Sequence, residues 1–308
     1  MIAQYAELAL DLRGKINGIV RANELMSRHT SFGVGGPADL YAEPASAEDV
    51  SLLVKEAARL EIPWIVIGDG QNLLVSDGGV RGLVIRLGRP MAYIRVEGSR
   101  MVVGAAAKLA KAIDAAIQHS LAGLEGVTGV PGSVGGAVFM NAGTRYGSIG
   151  DVTHAVTVVS PDGDIERLDR EQLGFTYRYC ALQEDTKIVT DVEMDLRPGD
   201  KAELVRMSEH LRRRRTTTQP TVGRSAGCVF RNPPDGHASQ LIDLAGAKGM
   251  REGDAEVSDK HANFILNMGS ANAAQIRSLA ERVREMVREK HGLVLEYEVR
   301  MIGDWEDK

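Results

Sequence analysis

Cys228 stands in Gly227-Cys228-Val229-Phe230, where a small-residue turn meets an apolar run. A thiol so placed can act as a proton donor, or it can be an inert buried hydrophobe; the residues alone leave both open. Glu296 and Glu298, in Leu295-Glu296-Tyr297-Glu298-Val299-Arg300, fall on one face of a strand because side chains alternate with a period of two. In water two like charges there are harmless, whereas in a pocket one carboxyl is driven to titrate higher and becomes an acid at neutral pH. Arg178 follows Tyr177 in a polar segment and, on the residues alone, reads as a solvated or ion-paired surface cation. The run Arg212 to Arg215 complements a helix C-terminus, or grips a diphosphate that guanidinium matches bidentately. Lys260-His261-Ala262-Asn263-Phe264 carries the same ambiguity. No His/Cys/Asp/Glu spacing suggests a metal, and no P-loop, nucleophile elbow or zinc-protease helix is present.

Three glycine-rich loops accompany these residues: Gly33 to Gly36, Gly68 to Gly70, and Gly129 to Gly143 with Pro131 in its first turn. Glycine opens positive φ and lets backbone N–H groups converge on a small volume, which favours an anion such as phosphate. Glycines that merely allow close packing are the alternative for any one loop. Three in one half of the chain are enough to wrap an elongated ligand with a diphosphate at its centre, and a dinucleotide is the obvious candidate.

The elements that must position these loops follow from hydrophobic periodicity. Ile2 to Val20 reads as a short amphipathic helix, and Leu40 to Ala42 as a strand. Ser46 and Asp49 form a capping signal before Val50, Leu53, Val54 and Ala57 at helical spacing. Strands are expected at 62–67, 83–87, 93–97 and 101–103, then a helix through Leu109, Ile113 and Ile117. Pro161-Asp162-Gly163-Asp164 is a turn between hairpin strands 155–159 and 165–168, and Ile188 to Leu196 forms a further strand. Composition changes after Pro198-Gly199-Asp200, which marks a boundary near Gly199. Beyond it come a charged helix 202–215 closed by Pro220, a helix near 240–245 and a strand 263–267. A helix through Ile276, Leu279, Val283 and Met286 ends at Gly292 and is followed by a strand 294–302. Many strands with few helices predict α+β subdomains.

At 308 residues the chain exceeds what one hydrophobic core usually serves, so two or three domains are expected. A net charge of −5 gives no global footprint for nucleic acid and favours small ligands. Two cysteines, Cys180 and Cys228, cannot build a disulfide framework or a four-thiolate zinc site and suit a reducing cytoplasm. No apolar run approaches the roughly 20 residues of a membrane helix, so no membrane insertion is expected.

Taken together, these motifs resemble the UDP-N-acetylenolpyruvoylglucosamine reductase family, from Asn23 to Gly303. The resemblance rests on five segments: His29 to Ala38; Gly68-Asp69-Gly70-Gln71-Asn72-Leu73-Leu74; Gly129-Val130-Pro131-Gly132-Ser133-Val134-Gly135-Gly136-Ala137 with Met140-Asn141-Ala142-Gly143; Glu256 to Phe264; and Glu298-Val299-Arg300-Met301-Ile302-Gly303. It implies an FAD-binding fold of the vanillyl-alcohol-oxidase type, in which residues 1–90 and 91–199 form two flavin-binding subdomains and 200–308 an α+β substrate-binding domain. It also implies that NADPH reduces the flavin, which passes hydride to the enolpyruvyl group of a UDP-sugar to give UDP-N-acetylmuramate.

The same resemblance implies roles for individual residues. Gly68, Asp69, Gly70, Gln71, Asn72 and Leu73 match the first flavin loop, with Gln71 where serine is more common. Gly129, Pro131, Gly132, Ser133, Gly135, Gly136, Asn141 and Ala142 match the pyrophosphate loop. Arg178 and Glu298 match the pair that steadies the enolate, and Cys228 occupies the position of a serine that protonates it. Cys180 likewise replaces a common serine. Tyr177, Arg215, Arg231, Asn232, Lys260 and Asn263 are expected to bind substrate. The chain lacks the family's long tyrosine-bearing insertion, which implies the shorter subclass, and no histidine in the glycine loops is placed for covalent attachment, so FAD is expected to be held non-covalently. A cytoplasmic monomer is expected. Two rivals stay open on the residues alone: a related flavin oxidase of alcohols or hydroxy acids, and a nucleotide-binding module without catalysis.

Overall fold

A computed structural model describes residues 2–305. The chain divides into two compact units, each assembled from three separate segments: 1–23, 40–68 and 82–213 in the first, and 24–39, 69–81 and 214–308 in the second.

The first unit contains a five-stranded antiparallel sheet in the order Ile165–Asp169, Thr153–Val159, Ile188–Asp195, Arg100–Gly104, Ile94–Glu97. Its hairpin forms as expected at Pro161 to Asp164, where Gly163 adopts φ 81° and Ser160 N donates to Asp164 O at 2.8 Å. Met101, Val103, Val156, Val158, Val192 and Met194 bury one face of this sheet in a core shared with helices Leu109–Gln118 and Val134–Phe139. A second sheet runs Gly18–Leu25, Pro37–Pro44, Val80–Arg86, Trp64–Ile67, the last two strands parallel. Helix Ala47–Arg59 packs Val50, Leu53, Val54 and Ala57 into a core with Leu40, Leu83 and Ile85. Ser46 caps this helix by accepting from Asp49 N at 3.2 Å. The buried Asp49 carboxylate accepts from Asn17 N and Ala45 N at 3.1 Å each, so the capping signal also anchors two neighbouring segments.

The second unit has a three-stranded antiparallel sheet, Arg251–Glu252, Ala255–Val257 and Ile265–Asn267, with helices Ala238–Leu244 and Ala273–His291. Its core takes Phe32, Val34 and Leu74 from the early part of the chain and Ile276, Leu279 and Val283 from the long helix. That helix starts at Asn272, whose side chain accepts from Gln275 N at 2.9 Å, while Asp77 accepts from Ala273 N and Ala274 N, also at 2.9 Å. An acceptor carboxylate at a helix N-terminus meets both the orphan amides and the positive end of the helix dipole. The helix ends at Gly292 in the left-handed region, φ 67°.

Two expectations need correcting. The N-terminal helix does not reach Val20; it spans Ile2–Arg13, and Gly18–Leu25 is a strand. Gly14 and Gly18 weaken helix there, and Val20 and Leu12 each find burial in the same core from different backbone conformations. The closing strand occupies only Arg300–Ile302, paired in parallel with Leu73–Val75. Residues 294–299 lack a continuous partner strand and are held instead by the bridge Phe230–Tyr297 and by Glu298 N donating to Val229 O at 2.8 Å. Glu296 and Glu298 therefore lie outside the strand and are not set on one face by a ladder.

Candidate active site

In the first unit, Gly129 and Gly132 take φ of 82° and 115° on either side of Pro131, so the chain turns twice before Ser133 caps helix Val134–Phe139. Ser133 Oγ accepts from Gly136 N at 3.3 Å. Gly135 serves close packing: a Cβ there would sit 2.7 Å from that of Ala105, whose carbonyl accepts from Gly135 N at 2.9 Å. Gly68 behaves similarly, since its Cβ would lie 2.7 Å from Ser133 Oγ. Two of the glycine loops thus meet at Gly68 and Ser133, a proximity that required both glycine reasons at once.

The far end of this loop is tied to the turn that carries Arg178. Asn141 is buried, donates Nδ2 to Thr176 O at 2.7 Å, and accepts from Gly150 N at 3.1 Å. Thr176 and Tyr179 exchange backbone hydrogen bonds at 3.1 and 3.2 Å, which makes Tyr177 and Arg178 the two central residues of a tight turn. Arg178 has φ 56°, a conformation disfavoured for a residue with a Cβ. Its Nη1 donates to Gly143 O at 3.0 Å and its guanidinium lies 5.2 Å from the exposed Tyr177 ring. The strain is retained where the guanidinium is bonded to the glycine loop. Cys180 is different: it is fully buried, donates to Phe139 O at 3.4 Å, and burial pushes its thiol up to about 11, so it remains a neutral packing residue.

In the second unit, Gly70 (φ 64°) lies under the loop that begins at His29; a Cβ there would come within 2.8 Å of Thr30 Cα. Ser31 donates both its N–H and its hydroxyl to Gly70 O at 3.0 Å. Asn72 Nδ2 donates to Glu298 O at 2.9 Å, and Arg300 N donates to Asn72 O at 2.9 Å. Glu298 N in turn reaches Val229 O, the residue after Cys228. Gly70, Asn72, Glu298 and the Cys228 segment are therefore joined by backbone-mediated bonds, although the sequence separates them widely.

Cys228 is half-buried and bridges Phe264. Asn263, 2% exposed, holds this segment: its Oδ1 accepts from Phe230 N at 2.9 Å and its Nδ2 donates to Phe230 O at 2.7 Å, while Val229 N donates to Asn263 O at 2.9 Å. Its contribution to the site thus runs through the backbone beside the thiol. Arg215 is half-buried; desolvation lowers its pKa, and the thiolate form of Cys228 acts in the opposite direction, so the guanidinium and the sulfur share one electrostatic environment. Lys260 Nζ donates to Thr216 O at 2.7 Å and braces the segment following Arg215. Arg231 donates its N–H to Glu296 O at 2.8 Å, and its buried Nε has no partner among the described residues. Asn232 accepts from Ala238 N at 3.0 Å, capping a short helix.

Sequence reasoning missed the anchoring work of Asn141 and Asn263. Both side chains bond backbone, and no spacing pattern marks that. Among the described residues no group of three or more His, Cys, Asp or Glu side chains could hold a metal, and no helix is long and apolar enough to cross a membrane.

An FAD diphosphate fits the glycine loop on two observations. Gly129 and Gly132 provide the positive-φ turns, and residues 126–144 contain no ionisable side chain to oppose a phosphate. With its antiparallel sheet, glycine loops and strained arginine turn, the molecule is an FAD-binding α+β oxidoreductase of the vanillyl-alcohol-oxidase type. The FAD binding domain model matches residues 38–169, and the model of the UDP-N-acetylenolpyruvoylglucosamine reductase C-terminal domain matches residues 219–302. UDP-N-acetylenolpyruvoylglucosamine reductase 2 of Symbiobacterium thermophilum is 45% identical over 287 residues, 93% of each chain. The reductase of Desulforamulus reducens is 40% identical over 300 residues, covering 97% of this chain and 99% of its own. The crystal structure of the reductase from Thermus caldophilus matches with a TM-score of 0.80 at 38% identity, over 93% of this chain and 99% of that one. The chain belongs to the UDP-N-acetylenolpyruvoylglucosamine reductase family.

Proposed function

We propose that this chain reduces the enolpyruvyl group of UDP-N-acetylglucosamine enolpyruvate to give UDP-N-acetylmuramate, with NADPH as the electron source. FAD held by the glycine loops would supply the hydride, drawn from NADPH, that the terminal carbon of the enolpyruvyl double bond takes up. The electron pair of that bond then moves toward the carboxylate, creating an enolate. Arg178 faces the developing negative charge with a guanidinium already held in place, so little reorganisation accompanies its formation. Glu298 is the second residue assigned to steadying the enolate. Cys228 gives its proton to the neighbouring carbon, completing reduction of the double bond to a single bond, and the thiolate regains a proton from solvent.

In this reading FAD is bound non-covalently by Gly68 to Leu73 and by the loop from Gly129 to Ala142. Residues 1–90 and 91–199 serve the flavin, and 200–308 serve the substrate. Tyr177, Arg215, Arg231, Asn232, Lys260 and Asn263 form or support the substrate contacts. The protein works as a monomer in the cytoplasm, where Cys180 and Cys228 stay reduced, and it needs no nucleic acid.

The observation that carries the reading is the chain of hydrogen bonds linking Asn72, Glu298 and Val229, which brings a flavin-loop residue, a carboxyl and the thiol's neighbour into one cluster. The test is spectroscopic and kinetic. The purified protein should be yellow, and NADPH oxidation should accelerate only when the enolpyruvyl UDP-sugar is added. A colourless protein that cannot be reconstituted with FAD, or a flavoprotein inert toward that sugar, removes the proposal.

A further inference from the structure

We propose that Arg224 is a further substrate-recognising residue, one that grips an anionic group of the UDP-sugar, phosphate or carboxylate, and that Gly33 exists to seat it. The inference rests on the reaction proposed above.

Arg224 is exposed, yet its side chain lies against the backbone of another loop. Gly33, with φ 69°, provides the seat: a Cβ there would overlap the Arg224 Nη1 position and lie 3.0 Å from Cδ and 3.3 Å from Cζ. The backbone beneath is fixed as well. Arg224 N donates to Asn267 O at 3.0 Å and Asn267 N to Arg224 O at 2.8 Å, while the buried Asn267 amide donates to Phe32 O at 3.0 Å. One asparagine therefore fastens Arg224 and the Gly33 loop to each other.

No carboxylate pairs with Arg224 among the described residues, so a guanidinium held in a defined seat has no intramolecular anion. Ordering an exposed arginine costs rotamer entropy, and a seat that reduces that cost in advance favours a ligand. Its surroundings identify the ligand. Four residues on from Arg224 is Cys228, and two residues before Gly33 is Ser31, which is bonded to Gly70 and hence to the turn that carries Asn72, the donor to Glu298 O. The substrate brings a diphosphate and a carboxylate. Of the cations expected to meet them in this unit, Lys260 already donates to Thr216 O, and Arg215 and Arg231 are half-buried, whereas Arg224 is exposed and adds an open, preorganised complement.

The experiment compares wild type, Arg224→Gln, Arg224→Lys, Gly33→Ala and the double variant Gly33→Ala/Arg224→Gln as FAD-loaded enzymes, with thermal melts to establish folding. Arg224→Gln should raise KM for the UDP-sugar about tenfold, the size expected for a lost charge-assisted hydrogen bond at a solvent-exposed position. Its kcat, FAD affinity and rate of flavin reduction by NADPH should stay within twofold of wild type, and Arg224→Lys should recover part of the loss. Gly33→Ala should raise KM similarly, and the double variant should show no further increase. UDP as a competitive inhibitor identifies the group: a parallel loss of UDP affinity assigns the diphosphate, and unchanged UDP affinity assigns the carboxylate. A folded Arg224→Gln enzyme with wild-type KM overturns this proposal while the reaction stands. A wild-type chain inert toward the sugar overturns the reaction and this proposal with it.

Discussion

Asn72 donates its side-chain amide to the backbone carbonyl of Glu298 at 2.9 Å, joining residues 226 positions apart. The turn proposed to hold the flavin and the carboxyl proposed for catalysis are thereby set by one another, and the backbone bond from Arg300 N to Asn72 O closes the link from the other side. Replacing Asn72 with Ala removes the amide and leaves the Glu298 carbonyl without that donor. Stability should fall by about 1 to 2 kcal/mol, measured by urea unfolding, and FAD should bind more weakly. Unchanged flavin affinity would show that the link is only structural.

Cys228→Ala should reduce turnover by roughly a hundredfold or more, the usual range for loss of a positioned proton donor, while NADPH still reduces the flavin at the wild-type rate. Stopped-flow absorbance separates the two half-reactions. Cys228→Ser should recover much of the turnover, because a hydroxyl can hold and deliver the same proton. If the alanine variant turns over normally, another group is the donor.

The strained turn at Arg178 allows charge and backbone to be separated. Arg178→Ala and Arg178→Gly both remove the guanidinium and should both lower kcat by about two to three orders of magnitude, as for a lost oxyanion-stabilising donor. At φ 56° the glycine variant should nevertheless be the more stable of the two by about 1 kcal/mol, because glycine tolerates the left-handed region. Equal melting curves would argue against strain at this position.

Asn263→Ala leaves the buried N–H and C=O of Phe230 without their partners. A loss of about 2 to 4 kcal/mol is expected by chemical denaturation. Turnover should fall as well, because Cys228 sits two residues from the freed backbone.

Cys180 makes a pH prediction. Burial holds its thiol near 11 in the folded chain, against 9.0 for an unperturbed thiol. The folded state therefore prefers the protonated form. Its contribution is complete below pH 9, shrinks as the unfolded chain ionises, and is lost as the pH passes 11. The stability advantage of wild type over Cys180→Ala should narrow by up to about 3 kcal/mol between these limits, read from urea unfolding at each pH. Iodoacetamide at pH 8 should modify Cys228 in the folded protein and spare Cys180.

Features legible from the residues were those with local causes. Ser46 and Asp49 start a helix, Pro161 to Asp164 turn a hairpin, and Gly292 ends a helix, each through bonds or dihedrals within a few residues. The segment from Gly18 was misread because an apolar pair such as Ile19-Val20 suits a helix or a strand, and only the neighbouring strand decides between them. The strand expected at 294–302 shrank for the converse reason: alternation was present but a continuous partner was not. Candidate residues at the site were recognisable by type, whereas the bonds that bring Asn72 to Glu298 and Asn263 to Phe230 depend on the completed fold.

The segmental make-up of the second unit bears on how the chain is synthesised. Phe32, Val34 and Leu74 belong to a core whose other walls come from residues beyond 225. A ribosome delivers those early apolar side chains long before their partners, so these contacts of very high sequence separation must wait until residues 226–299 have been made. Truncation near residue 213 would leave the three side chains with no core to enter, and such a fragment should recruit chaperones or aggregate. Completion of this unit is thus a late step, and point changes that slow it would lower cellular yield without altering the folded protein.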